Sequence, residues 1–275
     1  MAAFLSRRER FAVVGSTNDV VRGWLADGTA EVCLAIADEQ ITGRGREGRT
    51  WVAPAGGALL MSLGFRPAWL AADHVWRLAA AVSMAMAESA ETTTGLPDGS
   101  IRLKWPNDLV IDAPGGVRKL AGVLGETEGL GGPDPRAIIG LGLNTDWEAR
   151  AFPPDLAASM TSMREAADVR SIDHEALLDA FLDRLEVRTD ALRAARFDAA
   201  GWTERQLTTG RDVELVAPDG TVTAVRAVGV DATSGALVVE DRGAATGQRQ
   251  VVVGEIRHVR VPDALAAAPA PMARV

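Results

Sequence analysis

The spacing of apolar residues changes character near Thr208, and this change constrains the fold more than any other feature of the chain. Before it, helix-period segments alternate with short strands; after it, only short strands and turns follow. Residues 73–94 read as the strongest helix. Val75, Leu78, Val82 and Met86 form its apolar stripe, and Gly95 and Pro97 follow as stop signals. Residues 58–65 are an apolar run of strand length. Residues 11–14 and 32–37 read as strands flanking a helix over 18–27, with Ser16 and Thr17 as N-cap types and Gly28 placed as a C′ glycine. A meander over 101–104, 109–112 and 120–126 turns at Pro114-Gly115-Gly116, and a strand over 137–143 follows. Ser171 or Asp173 caps a helix running to about 196, with a shorter one near residue 200. Helices mixed with sequentially adjacent strands predict an α+β fold. Strands over 213–217, 222–229, 236–240, 249–253 and 256–260, with turns at Pro218-Asp219-Gly220 and Ser234-Gly235, fit a small β-barrel. The expected division is 1–208, 209–262 and a flexible tail over 263–275.

Several classes of function are disfavoured by the 275 residues together. No apolar run reaches the roughly 18 residues of a membrane span, and no apolar segment follows the charged N-terminus as in a signal peptide. The single cysteine, Cys33, cannot close an internal disulfide, which fits a reducing cytoplasm. The formal charge of −8 disfavours non-specific nucleic-acid binding. One cysteine and three scattered histidines disfavour a zinc site. Gly-x-Ser-x-Gly, Walker A and Cys-His signatures are missing, which disfavours nucleophilic hydrolases and P-loop enzymes.

Residue usage is sharply biased, with 27 arginines against two lysines, three asparagines and no tyrosine. Arginine serves most solvated cationic positions, but it cannot enter a site shaped for a compact ammonium. Asparagine offers a donor and an acceptor together. The rare residues Lys104, Lys119, Asn18, Asn107 and Asn144 therefore mark positions of interest.

Gly43-Arg44-Gly45-Arg46-Glu47-Gly48 matches G-x-G-x-x-G, but the RTWVAPAGG that follows cannot open the helix a dinucleotide site needs. A solvated flexible loop remains open as a reading. An anion-binding loop is favoured, because glycines let backbone approach a ligand and guanidinium forks match phosphate and carboxylate oxygens. Its like charges predict a loop that is ordered by the anion it binds. In Lys104-Trp105-Pro106-Asn107-Asp108, Pro106 ends the strand and is expected to turn Asn107 and Asp108 outward. That segment equally fits a plain strand-ending turn. The hairpin brings Lys119 back beside it. Gly140-Leu141-Gly142-Leu143-Asn144 places small residues in a strand, where a ligand or backbone approaches closely.

Taken together, Ser16-Thr17-Asn18, Glu39-Gln40 leading into Gly43 to Arg49 with Trp51, Lys104 to Asp108, Lys119-Leu120-Ala121-Gly122 and Gly142-Leu143-Asn144 resemble a biotin protein ligase. The resemblance covers roughly residues 11–147 by motif and the remainder by architecture. It implies a mixed β-sheet flanked by helices, like lipoate ligases and class II synthetases, with an SH3-like C-terminal barrel. It implies that biotin reacts with MgATP to give biotinyl-5′-AMP, and that a lysine of a carboxylase's biotin carboxyl carrier domain then takes the biotinyl group. Ser16, Thr17, Asn18, Gln40, Arg44, Gly45, Arg46 and Lys119 would hold biotin. Arg46, Arg49, Trp51, Asn107, Lys119 and Asn144 would hold the nucleotide. Lys119, Arg46 and Asp108 would be catalytic. Whether Asp108 positions a biotin-side or an acceptor amine stays open, as do the magnesium ligands. Only about ten residues precede the first strand, so the resemblance is to the monofunctional type without a DNA-binding domain. A lipoate or octanoate ligase on the related fold and a biotin-responsive regulator are the competing readings.

Overall fold

A computed structural model describes residues 4–113, 116–252 and 255–258. Seven strands form one sheet in the order β1-β2-β3-β7-β6-β5-β4. The strands are β1 (Arg7–Val14), β2 (Cys33–Gln40), β3 (Ala58–Phe65), β4 (Ile101–Lys104), β5 (Asp108–Ala113), β6 (Gly116–Glu128) and β7 (Arg136–Asn144). β1 pairs parallel with β2, joined by a crossover through helix α1 (Thr17–Ala26), and the other pairs are antiparallel. The sheet is therefore mixed, as expected. Pro114 and Gly115 of the predicted turn lie outside the described residues.

Alternate residues of a strand face opposite sides of a sheet, and β2 shows what this does here. Leu34 and Ile36 enter the main core with Leu59, Met61 and Leu63 of β3. Helices α2 (Trp76–Thr94) and α4 (His174–Arg193) cover that face with Leu78, Val82, Met86, Leu178 and Phe181. Cys33 and Ala35 point the other way, against Val21, Trp24 and Leu25 of α1. α1 is ten residues long and packs mainly on β2, β3 and β7. The rest of that face is roofed by loops, and there the site lies.

The helix ends follow the sequence. Gly95 closes α2 in the left-handed region, at φ 72°, and the Asp173 side chain accepts from the Glu175 and Ala176 amides at the start of α4. Short helices α3 (Met163–Ala166) and α5 (Ala199–Glu204) complete the set, and α3 was not foreseen. Glu91, which is 1% exposed, receives both terminal nitrogens of Arg205 at 2.9 Å and the Ile101 amide at 2.8 Å. This ties α2, β4 and the end of α5 together.

β8 (Arg211–Val216), β9 (Val222–Val230), β10 (Leu237–Glu240), β11 (Gln248–Val251) and β12 (Glu255–His258) form a second, antiparallel sheet in the order β11-β10-β9-β8-β12. It is compatible with the expected SH3-like barrel. Its core of Val213, Leu215, Ala227, Leu237, Val239 and Val251 contains one residue from far upstream, Trp105. The Trp105 indole nitrogen donates to the Gly235 carbonyl at 3.0 Å, and its backbone amide donates to Thr208 Oγ1 at 3.3 Å. The expected tail over 263–275 lies outside the described residues. Among the described residues, no helix is long and apolar enough to cross a membrane.

Candidate active site

A cavity of about 990 Å³ opens on the α1 face of the large sheet. Its floor is backbone. Gly122 on β6 and Gly140 and Gly142 on β7 line it without side chains. A Cβ on Gly140 would stand 2.2 Å from Asn18 Oδ1, and one on Gly142 would stand 2.6 Å from the Trp51 ring. The glycines of the β7 motif are thus required by close approach.

One end of the cavity is a chain of neutral polar groups. The Thr17 amide and hydroxyl contact Gln40 Oε1 at 2.7 and 2.9 Å. Thr17 Oγ1 lies 2.7 Å from Ser62 Oγ, which donates to Asn18 Oδ1 at 2.5 Å. Asn18 Nδ2 donates to Glu126 Oε2 at 2.6 Å. Thr17, Asn18 and Ser62 are all buried. An array rich in acceptors and hydroxyls, with no bound charge of its own at the floor, suits a neutral head group that both donates and accepts hydrogen bonds.

The other end is charged. The backbone of Lys119 is clamped, its amide to the Ser159 carbonyl at 2.7 Å and its carbonyl to the Thr161 amide at 2.9 Å. Its ammonium reaches along the floor past Gly122 and lies 2.7 Å from Asp108 Oδ1 and 5.4 Å from the Trp51 ring centroid. The Lys119–Asp108 contact is an ion pair without the alignment of a good hydrogen bond. A compact cation on a bare floor is the arrangement the lysine scarcity pointed to.

The loop after β2 forms the roof. It closes on itself: the Gly45 amide donates to Arg49 O at 2.7 Å, the Trp51 amide to Gly43 O at 2.9 Å, and residues 46–48 make a 3-10 turn with Glu47 at φ 56°. Arg46 and Arg49 line the cavity with Gly45 and Trp51. Arg44 lines it too, but its guanidinium is engaged by both oxygens of Asp19, at 2.7 and 2.8 Å. The hydrogen bond from Arg44, followed by its charge and that of Arg22, holds the Asp19 carboxyl below its usual range. Asp19 in turn raises the Arg44 pKa through the same hydrogen bond.

Of the five rare residues, Asn18, Lys104, Asn107 and Lys119 line the cavity. Asn144 does not. It is fully buried behind the floor, its Nδ2 donating to Thr161 O at 3.0 Å. In this structure Asn144, expected at the nucleotide, holds the Thr161 backbone beside β7. Asn107 is not turned outward as expected. Its Nδ2 donates to Val123 O at 2.9 Å, because the chain after Pro106 enters β5 at once and leaves the amide facing β6. Ser16 occupies the N-cap position of α1 but makes no capping hydrogen bond with its side chain, which lines the cavity instead. Arg44, expected at the ligand, lines the cavity and also pairs with Asp19 on α1. The sequence reading missed Ser62, Asp19 and Glu126. Ser62 had a signal, as the one hydroxyl in the otherwise apolar β3.

A family model described as "Biotin/lipoate A/B protein ligase family" matches residues 11–144. A biotin–[acetyl-CoA-carboxylase] ligase from Mycobacterium tuberculosis is 32% identical over 256 residues, 90% of this chain and 88% of that one. A bifunctional ligase/repressor BirA from Bacillus subtilis is 29% identical over 64% of this chain, and 51% of its own length is covered. The solved biotin protein ligase from Aquifex aeolicus, in complex with biotin and ATP, shares the fold with a TM-score of 0.73 at 23% identity, over 91% of this chain and 97% of that one. With the near-full-length match to the mycobacterial enzyme, the chain belongs to the biotin/lipoate A/B protein ligase family, among the biotin protein ligases.

Proposed function

We propose that this protein joins biotin to ATP, forming biotinyl-5′-AMP and pyrophosphate, and passes the biotinyl group to a lysine on the carrier domain of a biotin-dependent carboxylase. The observation that carries this is the polarity of the cavity. A neutral array of Thr17, Gln40 and Asn18, backed by Ser62, stands at one end of a glycine-lined floor, and the Lys119 ammonium stands at the other. Biotin has this polarity, with a neutral ureido head and a terminal carboxylate.

In the first step a biotin carboxylate oxygen attacks the α-phosphorus of ATP, and the bond to the bridging oxygen breaks to release pyrophosphate. Substrate supplies the nucleophile, so the protein has to bring two anions together and stabilise the crowded phosphoryl centre. Lys119 serves as the point charge between carboxylate and α-phosphate. Arg46 and Arg49, on the roof, bind phosphate oxygens. Gly45 lets the loop backbone approach the ligand, and Trp51 and Asn107 flank the nucleotide. ATP arrives as its magnesium complex. Asp108, Asp112 and Asp155 are the carboxylates of the lining, and among the described residues no group of three His, Cys, Asp or Glu forms a cage. A cation that keeps its waters and its phosphates needs no such cage.

In the second step the carrier lysine attacks the biotinyl carbonyl of the mixed anhydride, an amide forms and AMP leaves. Asp108, already engaging the Lys119 ammonium, is placed to orient a second amine at the same carbonyl. Residues 1–208 are proposed as the catalytic domain and 209–262 as the C-terminal one. The acidic charge and the lone reduced cysteine favour a cytoplasmic enzyme that acts on carrier protein and not on nucleic acid or membrane.

The test is mass spectrometry of a biotin carrier domain after incubation with the protein, MgATP and biotin, with parallel lipoate and octanoate reactions. One biotinyl addition at a single lysine is expected. Modification by lipoate or octanoate alone would overturn the reading.

A further inference from the structure

Asn18 is an amide whose two ends are not interchangeable, and the reason is Glu126, an acid outside the cavity lining. Glu126 projects from β6 and meets Asn18 Nδ2 at 2.6 Å. A carboxylate can only accept, so the NH2 of Asn18 has to face it. The carboxylate is itself fixed. The same Oε2 receives Arg22 Nη2 at 2.9 Å, and Arg44 Nη2 lies 3.6 Å away. On the far side of the amide, Ser62 Oγ donates to Oδ1 at 2.5 Å, and Thr17 Oγ1 lies 2.7 Å behind Ser62.

This orientation has a consequence for the cavity. Asn18 Oδ1 lies directly over Gly140, 2.2 Å from where a Cβ would stand. It receives one donor from Ser62, and a carbonyl oxygen has a second lone pair. The floor therefore presents an acceptor at this point. If the amide were flipped, it would present a donor there, aimed at the N–H groups of a cyclic urea.

Building on the biotin-ligase reading, we propose that Glu126 is a positioning residue for substrate specificity. By locking the Asn18 amide, it makes the cavity demand an N–H donor from the head group. A cyclic urea supplies one; a dithiolane or an alkyl chain does not. Glu126 acts through Asn18 and does not touch substrate. Ser62 performs the same service from the other end of the amide.

Steady-state adenylation, followed by pyrophosphate release with biotin and ATP varied separately, tests this. Removing a charge-assisted lock from a buried amide is expected to raise the KM for biotin about tenfold or more in Glu126→Ala. The KM for ATP and kcat at saturating biotin should stay within about twofold, since only ground-state and transition-state binding of the head group is lost together. Glu126→Gln, which retains an acceptor, should recover part of the loss. The decisive readout is a double-mutant cycle: in an Asn18→Ala background, Glu126→Ala should change the KM for biotin no further. Ser62→Ala supplies the same cycle from the opposite side should Glu126→Ala fail to fold. Multiplying effects in the Asn18→Ala background would overturn the proposal, as would an equal rise in KM for ATP. Wild-type protein that releases no pyrophosphate with biotin overturns the ligase reading as well; multiplying effects in a wild-type-active series overturn this proposal alone.

Discussion

Lys119 Nζ and Asp108 Oδ1 stand 2.7 Å apart across the β5–β6 ladder, at the charged end of a floor built around Gly122, Gly140 and Gly142. The ammonium fits there because Gly122 leaves room for it. Lys119→Ala should fold normally and lose adenylate formation by about a hundredfold or more, the scale of removing one preorganised transition-state donor. Lys119→Arg should also be poor, since a planar guanidinium is wider than the space over Gly122. Pyrophosphate release measures both, and wild-type rates in either variant would remove Lys119 from the chemistry.

Asp19 grips Arg44 with both carboxylate oxygens, and this couples the roof loop to α1. The pair is half exposed, so its contribution to global stability should be under about 1 kcal/mol. Its effect should be local. Asp19→Asn is expected to speed hydrogen exchange over residues 43–51 and to hasten loss of bound biotinyl-5′-AMP, with little change in melting temperature. The Asp19 carboxyl is held below its ordinary range by Arg44. The contact is therefore complete above that ordinary range and lost only as pH falls through the lowered value. Loop protection should accordingly be flat between pH 6 and 8, and a midpoint in that window would point to another group.

Gly140→Ala places a methyl group 2.2 Å from Asn18 Oδ1, well inside van der Waals contact. The backbone there is ordinary β-strand, so the strand accepts alanine and the amide has to move. Calorimetric titration should show biotin affinity lowered about tenfold or more, with thermal stability reduced by only about 1–3 kcal/mol, the range for overpacking. Unchanged biotin binding would place the head group elsewhere in the cavity.

Trp105 spans the two halves of the molecule. Its ring is in the C-terminal core, while Asn107 and Asp108, two and three residues on, line the cavity. Trp105→Ala should cost about 3–5 kcal/mol, as for other large aromatics in cores. It should also lower kcat, because the segment carrying Asp108 loses its anchor. Trp105→Phe keeps an aromatic ring in the core but loses the bond to Gly235 and part of the indole's volume, so it should cost less than Trp105→Ala. Denaturant melts and single-turnover adenylation on the two variants separate anchoring from folding.

Cys33 is fully buried between α1 and the sheet, and burial pushes its thiol up to about 11. The native protein should resist iodoacetamide at pH 8 and react only once unfolded. Rapid labelling of the native state would contradict the packing.

The elements and several site residues could be read from the sequence because each depends on local chemistry. β3 matches residues 58–65 because an eight-residue apolar run bounded by glycine and proline has few other uses. The rare lysines and asparagines stood out because arginine-rich coding leaves them only where substitution fails. What escaped were relationships between distant segments. The pairing of Arg44 with Asp19 of α1 joins two segments that no motif connects. Asn144 and Asn107 were rightly marked as unusual, but their partners, the Thr161 and Val123 carbonyls, are backbone atoms that no motif names. Glu126 looked like any acid at a strand end, because its partner Asn18 is 108 positions away.

β7 is the middle strand of seven, and it carries both Gly140 and Gly142. To loosen that floor, pairing must be broken on two sides, which is close to unfolding the whole sheet. The roof, by contrast, is loop held by a handful of bonds. Ligand exchange is therefore expected to proceed through the roof and not through the floor. Residence time and melting temperature should then be separable, the first adjustable in residues 43–52 and the second in the strands beneath.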